Sequence, residues 1–546
     1  MTDNYPINKR LITLILIGLF FVSVGVFIRT PTYDDGVHAT TVRNTIGLKN
    51  PFYNNYEKVQ HPFQRIQFGI LALGYNYFFP FNFRWPSFIH AILLCTSTIF
   101  VYLISRRYQN QEISYLVASL YFYFVFTMYW ISPTRPEIWL STIYLYIILL
   151  GEWFMSSNKI KYIIIASIVI GMFGLTFHSN SWILYIYIIL FMVFNRNILS
   201  SKNIKVILIS LSLSTLVGLS VIFLPKPHEA LDFLLNMTQE GGNRLQISWN
   251  KEIIRFSNFI LNPHHKYLSY IFTILIILWV YDNRKNFISL QTTAFNKYGN
   301  IYLCLFASFI GLGILPSARW FVYLAYYYFP ILFMVSIIYS NTNLTKIRMI
   351  FFKVCIYTLF LRFCIIKISN GQLFQTDELI KLLIYYLPLV ILTIFWPKFK
   401  IKLLFSMLIL GMFHQTFLMY KRNVVLNEVS EYYINHSKLR ILANPEFDWL
   451  IFHDDNIWDL MRNKSNKLNQ GYFLVGDNSS WAQLFLKGRS CKFSLQDSII
   501  KSFDNIDYLP INFRRLEVYN YECYDSLNDP LTMEISLKDY IRNQNK

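Results

Sequence analysis

The sequence predicts a polytopic α-helical membrane protein with about thirteen transmembrane helices and a soluble C-terminal α/β or α+β domain. Three observations lead there. Of its 546 residues, 54% are hydrophobic and 15% charged, whereas soluble domains spend about a quarter of their residues on charge. Apolar runs of roughly 17–25 residues, the length a helix needs to cross a bilayer, recur through the first 420 positions. The formal charge of +19 is scattered between these runs and does not stripe one polar face. That scatter excludes a nucleic-acid surface and reads as a signal of topology.

The predicted spans lie near 11–28, 86–104, 113–131, 138–155, 160–176, 181–194, 204–224, 267–281, 299–315, 321–340, 349–366, 379–396 and 401–420. With the N-terminus placed in the cytoplasm, alternate loops collect Arg106 and Arg107, Lys159 and Lys161, Arg196, Lys202 and Lys205. Further inner loops hold Arg284, Lys285 and Lys297, then Lys346, Arg348 and Lys353, then Lys398, Lys400 and Lys402. With Lys9 and Arg10 these make 18 basic residues on one side, the pattern of cytoplasmic loops. Residues 66–83 are apolar but carry Gln67, Asn76, Pro80 and Asn82, which suits a helix lying in the interface. Counting them as a span would also invert every later basic loop. The first span shows no A-x-A-like cleavage site and reads as an uncleaved anchor.

Beyond residue 420 the apolar runs stop. Residues 421–546 hold 16 basic and 17 acidic residues, a soluble composition, with short apolar runs at 472–477 and 480–486 between turn residues. Thirteen spans place this domain outside the cytoplasm. Cys95, Cys304, Cys355 and Cys364 sit in apolar spans as small hydrophobes, while Cys491 and Cys523 stand together in the tail. Spacing alone allows those two to form a disulfide or remain free thiols.

Chemistry is sought among polar groups near the membrane on the outer side. The loop 29–65 carries Asp34 and Asp35 just past the first span. Adjacent carboxylates can supply a general base or hold a cation, although Asp-Asp-Gly is also ordinary turn chemistry. From Val37 onward the spacing suits an amphipathic helix along the membrane, carrying Arg43, and His61-Pro62 follows.

This layout resembles the GT-C glycosyltransferases that use polyprenyl-phosphate sugars. The nearest branch holds the lipid A aminoarabinose transferases and the bacterial relatives of protein O-mannosyltransferases. Members place an acidic pair after the first span, then a helix with a small residue and an Arg, then a basic residue before Pro. Asp34-Asp35, Ala39, Arg43 and His61-Pro62 stand in matching positions. Two departures are visible: the second acid is Asp where Glu is common, and His61 replaces the usual Lys, so phosphate contact there depends on its protonation. Three further outer features follow the same family order. They are Arg135 and Glu137 in SPTRPEIW, His178 in FHSN, and Arg319 with Tyr323 in PSARWFVYLAYYYFP. Taken singly, each also fits a snorkelling side chain or an aromatic belt.

The resemblance implies a GT-C-like catalytic domain over 1–420, with interfacial helices in the first outer loop 29–85, and an extracytoplasmic domain over 421–546. It implies transfer, with inversion, of a sugar from a polyprenyl-phosphate donor to a hydroxyl or phosphate of an acceptor, a glycolipid such as lipid A, a polysaccharide or a protein, at the outer face of the membrane. Asp34, Asp35 and Glu137 are then the catalytic candidates. Arg43, His61, Arg135, His178, Arg319 and Tyr323 are the candidate substrate contacts. No P-loop or Rossmann glycine pattern is present, as expected when the donor is a lipid-activated sugar. Some members of the wider superfamily use a divalent cation, so that cofactor stays open. The expected partners are therefore the lipid-linked donor, its acceptor and membrane lipid, with no nucleic acid. The expected location is a bacterial cell (inner) membrane. A transporter, flippase, polymerase or ligase for lipid-linked glycans is the rival, and a transporter would carry paired charges deep in its spans. Arg362 is the one such charge apparent in the sequence. The outer loop 225–266, with His228, Glu229, Glu240, Arg244, His264 and His265, is a candidate lid, and 453–459 (HDDNIWD) reads as a surface loop.

Overall fold

A computed structural model describes residues 85–129, 137–177, 181–224, 441–442, 470–475, 489–500 and 516–525. It also describes single positions and short stretches within 9–20, 70, 227–231, 300–308, 409–420 and 431–435. Six helices run consecutively through the first set: α1 (Trp85–Arg106), α2 (Gln111–Tyr129), α3 (Glu137–Ser157), α4 (Lys161–Phe177), α5 (Trp182–Phe194) and α6 (Ser201–Phe223). They coincide within a few residues with six of the predicted spans. Three of the described helices, α1, α3 and α6, are long and apolar enough to cross a membrane, and α4 and α5 are shorter apolar helices. Positions near 12–20, 300–308 and 409–420 are helical where described, as three more predicted spans require. The spans at 267–281, 321–340, 349–366 and 379–396 lie outside the described residues.

Local chemistry sets the helix boundaries. Asn110 caps α2, its Oδ1 accepting from the Ile113 amide at 2.9 Å. Ser200 does the same for α6, accepting from Asn203 at 3.2 Å. Just past α3, Asn158 adopts φ 53°, a left-handed backbone that asparagine tolerates better than most residues.

Packing reveals the direction of each helix. The Thr142 hydroxyl reaches the Leu93 carbonyl at 3.4 Å, and the Phe100 and Tyr146 rings lie 5.6 Å apart. Both pairs advance along α1 and α3 together, so these two helices are parallel. The Phe154–Phe191 rings at 5.8 Å and the Tyr144–Tyr187 rings at 5.7 Å make α5 parallel to α3. In α4 and α6, Ser214 donates to the Ser167 carbonyl at 3.3 Å, and Gly218 lies against the Gly171 and Met172 carbonyls. That pair is parallel too, at backbone contact. A Cβ at Gly171 would fall 1.9 Å from Ser214 Oγ and 2.6 Å from the Thr215 amide nitrogen. Small residues permit this approach where lipid offers no hydrophobic drive for helices to associate.

One end of the bundle therefore collects the C-terminal ends of α1, α3 and α5 and the starts of α2, α4 and α6. Arg106, Arg107, Lys159, Lys161, Arg196, Lys202 and Lys205 all belong to that end. The alternation predicted from the loop charges is present in the helix directions.

In the C-terminal part, β1 (Ile441–Leu442), β2 (Gln470–Val475), β3 (Arg489–Ile500) and β4 (Leu516–Asp525) form one sheet of order β1-β2-β4-β3. β1 pairs parallel with β2, and the other pairings are antiparallel. Cys491, Phe493, Tyr519 and Tyr521 line one buried face, with Phe493 ring centroids 6.5 and 6.4 Å from the two tyrosines. Cys491 is disulfide-bonded and lies opposite Cys523 in the β3–β4 register. The disulfide resolves one of the two states that spacing left open for Cys491.

Candidate active site and a buried polar cluster

Of the predicted catalytic and contact residues, Glu137 alone lies in a described element, as the first residue of α3. An acid there suits the positive end of the helix dipole as well as a catalytic role. Asp34, Asp35, Arg43, His61, Arg135, His178, Arg319 and Tyr323 lie outside the described residues, as do Arg362 and the segment 453–459. Of the candidate lid, His228 is described, as an exposed helical residue. α3 begins at Glu137 and α4 ends at Phe177, one residue before His178, both at the end of the bundle opposite the basic cluster. Helix direction thus delivers these two points of the chain to one end of the bundle. Among the described residues no three His, Cys, Asp or Glu gather as metal ligands.

The described residues also hold a charged cluster at the other end. Glu152, in the penultimate turn of α3, is 3% exposed. Its Oε1 accepts from the Tyr108 hydroxyl and from Asn300 Nδ2 at 2.8 Å, and its Oε2 lies 3.6 Å from Arg107 Nε. Asn300 donates as well to the Ile148 carbonyl at 3.1 Å and accepts from the Tyr187 hydroxyl. Two turns along, the Tyr144 hydroxyl donates to the Cys304 carbonyl at 2.9 Å and accepts from Ser308 at 3.3 Å. The positions from 300 to 308 therefore run antiparallel to α3, starting at the basic end as the predicted ninth span does.

Glu152 corrects the expectation that Arg362 is the one evident charge within the spans. Its span, 138–155, carries no other charge, and nothing in local spacing tells a buried, partnered acid from one near a helix end. Tyr108 sits in the turn between α1 and α2. Burial first, and the Glu152 charge second, hold its hydroxyl well above the ordinary tyrosine range. It therefore stays protonated and can donate. The described contacts of the carboxylate join α3 to the α1–α2 turn and to residue 300.

Residues 71–221 match the family described as dolichyl-phosphate-mannose-protein mannosyltransferase. No curated protein sequence matches the chain. The crystal structure of ArnT from Cupriavidus metallidurans in the apo state is similar with a TM-score of 0.52 at 10% identity, covering 93% of this chain and 97% of that one. The apo oligosaccharyltransferase from Archaeoglobus fulgidus is similar with a TM-score of 0.42 at 11% identity, covering 88% and 71%. AglB from the same organism, in complex with an inhibitory peptide and a dolichol-phosphate, gives 0.39 at 11% identity over 74% and 56%. The family match runs from just before α1 to near the end of α6, the helices whose directions are set out above. The chain resembles the GT-C superfamily glycosyltransferases, sharing the overall fold of ArnT and, over residues 71–221, the sequence pattern of a mannosyltransferase family.

Proposed function

We propose that the chain is an integral-membrane glycosyltransferase that moves a sugar from a polyprenyl-phosphate-linked donor to a hydroxyl of a glycolipid, glycan or protein at the outer face of the membrane. The observation that carries this reading is the mannosyltransferase-family match over residues 71–221, within a chain that shares the ArnT fold over 93% of its length. In the proposed reaction Asp34 takes the proton from the acceptor hydroxyl as its oxygen attacks the anomeric carbon. The bond from that carbon to the phosphate oxygen breaks, and the lipid phosphate leaves with the electron pair. A single displacement of this kind inverts the anomeric configuration. Asp35 and Glu137 support or replace the base. Arg43, His61, Arg135, His178 and Arg319, with Tyr323, contact the donor phosphate and sugars, where cations offset the charge developing on the leaving group. The same reading sets the basic end of the bundle in the cytoplasm and residues 421–546 outside it. The disulfide at Cys491 supports that placement, because such bonds persist in oxidising compartments.

Mass spectrometry of envelope glycolipids and glycoproteins, from cells with and without the protein, tests the proposal. A sugar modification should vanish with the protein and with Asp34→Asn, while the variant still accumulates in the membrane. An Asp34→Asn, Asp35→Asn double variant that restores the modification sinks the assignment. The rival transporter reading predicts movement of a lipid-linked glycan across reconstituted vesicles without transfer.

A further inference from the structure

We infer that α4 and α6 present binding sites for anionic phospholipid of the surrounding bilayer, with phosphates held by Lys159 and Lys161 at the start of α4 and by Lys202 and Lys205 on α6, and the acyl chains lying along each helix. The first support is charge. Between Trp153 and His228 the chain has no acidic residue. Lys159, Lys161, Arg196, Lys202 and Lys205 are all exposed at one end of the bundle. The acids that flank this stretch are Glu152, which is buried against Tyr108, Asn300 and Arg107, and Glu229.

The second support is the geometry of the helix pair. Contacts of Ser167 with Ser214 and of Gly171 with Gly218 keep one constant offset between the parallel helices. Extended to the start of α4, that offset sets Lys161 level with Leu208, less than one helical turn from Lys205. The lysines of the two helices thus share one depth. The turn joining α5 to α6 is tight, with the Ile198 and Leu199 amides both donating to the Asn195 carbonyl at 2.9 Å, and it holds Arg196 at the same end.

The third support is the pattern along each helix. In α6 the buried positions Ile207, Leu211, Ser214 and Gly218 face α4, and the opposite stripe reads Lys202, Lys205, Ile209, Leu213, Leu216. In α4 the exposed stripe reads Lys161, Ile165, Ile168. Both helices present ammonium groups at the end and large apolar side chains for the turns beyond, the order in which a phospholipid presents phosphate and chains. Only 22% of the apolar stretch of α6 is buried, against 78% for α3, so among the described residues α6 lies at the margin of the bundle. Trp153 and Tyr162, rings 5.6 Å apart, stand at this depth, with Lys161 Nζ 5.3 Å from the Tyr162 ring centroid. Aromatic rings and basic side chains at one level mark a headgroup interface. The inference does not depend on the sugar-transfer reading.

The test uses the full chain in nanodiscs of phosphatidylcholine, titrated with phosphatidylglycerol and read by native mass spectrometry of the released protein. The intact protein should retain phosphatidylglycerol in preference to phosphatidylcholine. Lys202→Gln with Lys205→Gln, or Lys159→Gln with Lys161→Gln, should weaken that retention by about fivefold for each lysine removed. Lys492→Gln, on the β-sheet, should leave it unchanged. Equal retention of the two lipids overturns the inference, as does retention unchanged in both double variants. A preference for polyprenyl phosphate over phosphatidylglycerol at the same lysines also overturns it. Two separate double variants keep the test open should one of them fail to fold.

Discussion

Asn300 donates its side-chain amide to the Glu152 carboxylate at 2.8 Å and to the Ile148 carbonyl at 3.1 Å, tying a late helical segment to the last turns of α3. Residue 300 lies outside the segment that matches the mannosyltransferase family, and Glu152 lies within it. The contact therefore joins the matched helices to the second half of the chain. Asn300→Ala leaves a buried carboxylate short of one donor and should cost about 1–3 kcal/mol. Glu152→Gln, which keeps acceptors for Tyr108 and Asn300, should cost less than Glu152→Ala. Unfolding of the purified protein, followed by tryptophan fluorescence, ranks the three; equal stability of Asn300→Ala and wild type would refute the linkage.

Tyr108 gives the same cluster a pH signature. Its hydroxyl holds its proton more tightly in the fold than in the unfolded chain, because burial and the nearby Glu152 charge disfavour the phenolate. A raised value of this sign stabilises the fold fully below about pH 10, the ordinary tyrosine value, and the contribution falls away as the pH climbs from there toward the higher folded value. Tyr108→Phe removes the titrating group along with the hydrogen bond. The variant should be less stable than wild type near pH 8, with the gap narrowing as the pH passes 10. A gap that stays constant from pH 8 to 11 speaks against a neutral, donating Tyr108.

The helix bundle was legible in the sequence because lipid imposes a strict rule on it. Every backbone group must be satisfied within the helix, so apolar runs bounded by Asn110, Asn158, Ser181 and Ser200 mark α1–α6 closely. Loop charge carried the alternation over the described helices, since Arg106 and Arg107, Lys159 and Lys161, and Arg196, Lys202 and Lys205 all stand at the end where helix direction places them. Glu152 was not legible. Its partners Tyr108 and Asn300 are 44 and 148 residues away, and no periodic pattern encodes a contact at such separations. Gly171 and Gly218 were equally silent, because small residues in an apolar run look alike whether they face lipid or another backbone. Of the candidate site, Glu137 was placed in a described helix on a residue pattern that the family resemblance supplied; spacing alone did not single it out.

The α4–α6 contact makes a prediction that separates side-chain crowding from backbone crowding. Gly171→Ala would set its methyl 1.9 Å from Ser214 Oγ, 2.8 Å from Ser214 Cβ and 2.6 Å from the Thr215 amide nitrogen. Removing the hydroxyl with Ser214→Ala relieves the first clash and leaves the other two. Gly171→Ala should therefore destabilise by about 1–3 kcal/mol, and the Gly171→Ala, Ser214→Ala double variant should recover only a small part of that. Full recovery in the double variant, measured by the same unfolding assay, would mean that the two backbones are farther apart than described.

The disulfide at Cys491 supplies the last prediction. β3 and β4 are adjacent antiparallel strands, and residues 491 and 523 stand directly opposite each other in their register. A crosslink between these register partners would close the chain from β3 through β4 and restrain the unfolded state by about 3–4 kcal/mol in the chain-entropy account. Cys491→Ser and Cys523→Ser should then lower stability by similar amounts, and the double variant should be no worse than either single one, because each change removes the same bond. Cys95 and Cys304 are free, buried thiols within the helices. Alkylation of the denatured protein without reductant should modify them while sparing positions 491 and 523. Reductant should expose that pair to alkylation in cell-derived membranes, where the bond forms under the protein's own conditions. Additive losses in the double variant, or ready alkylation of 491 and 523 without reductant, would refute the pairing.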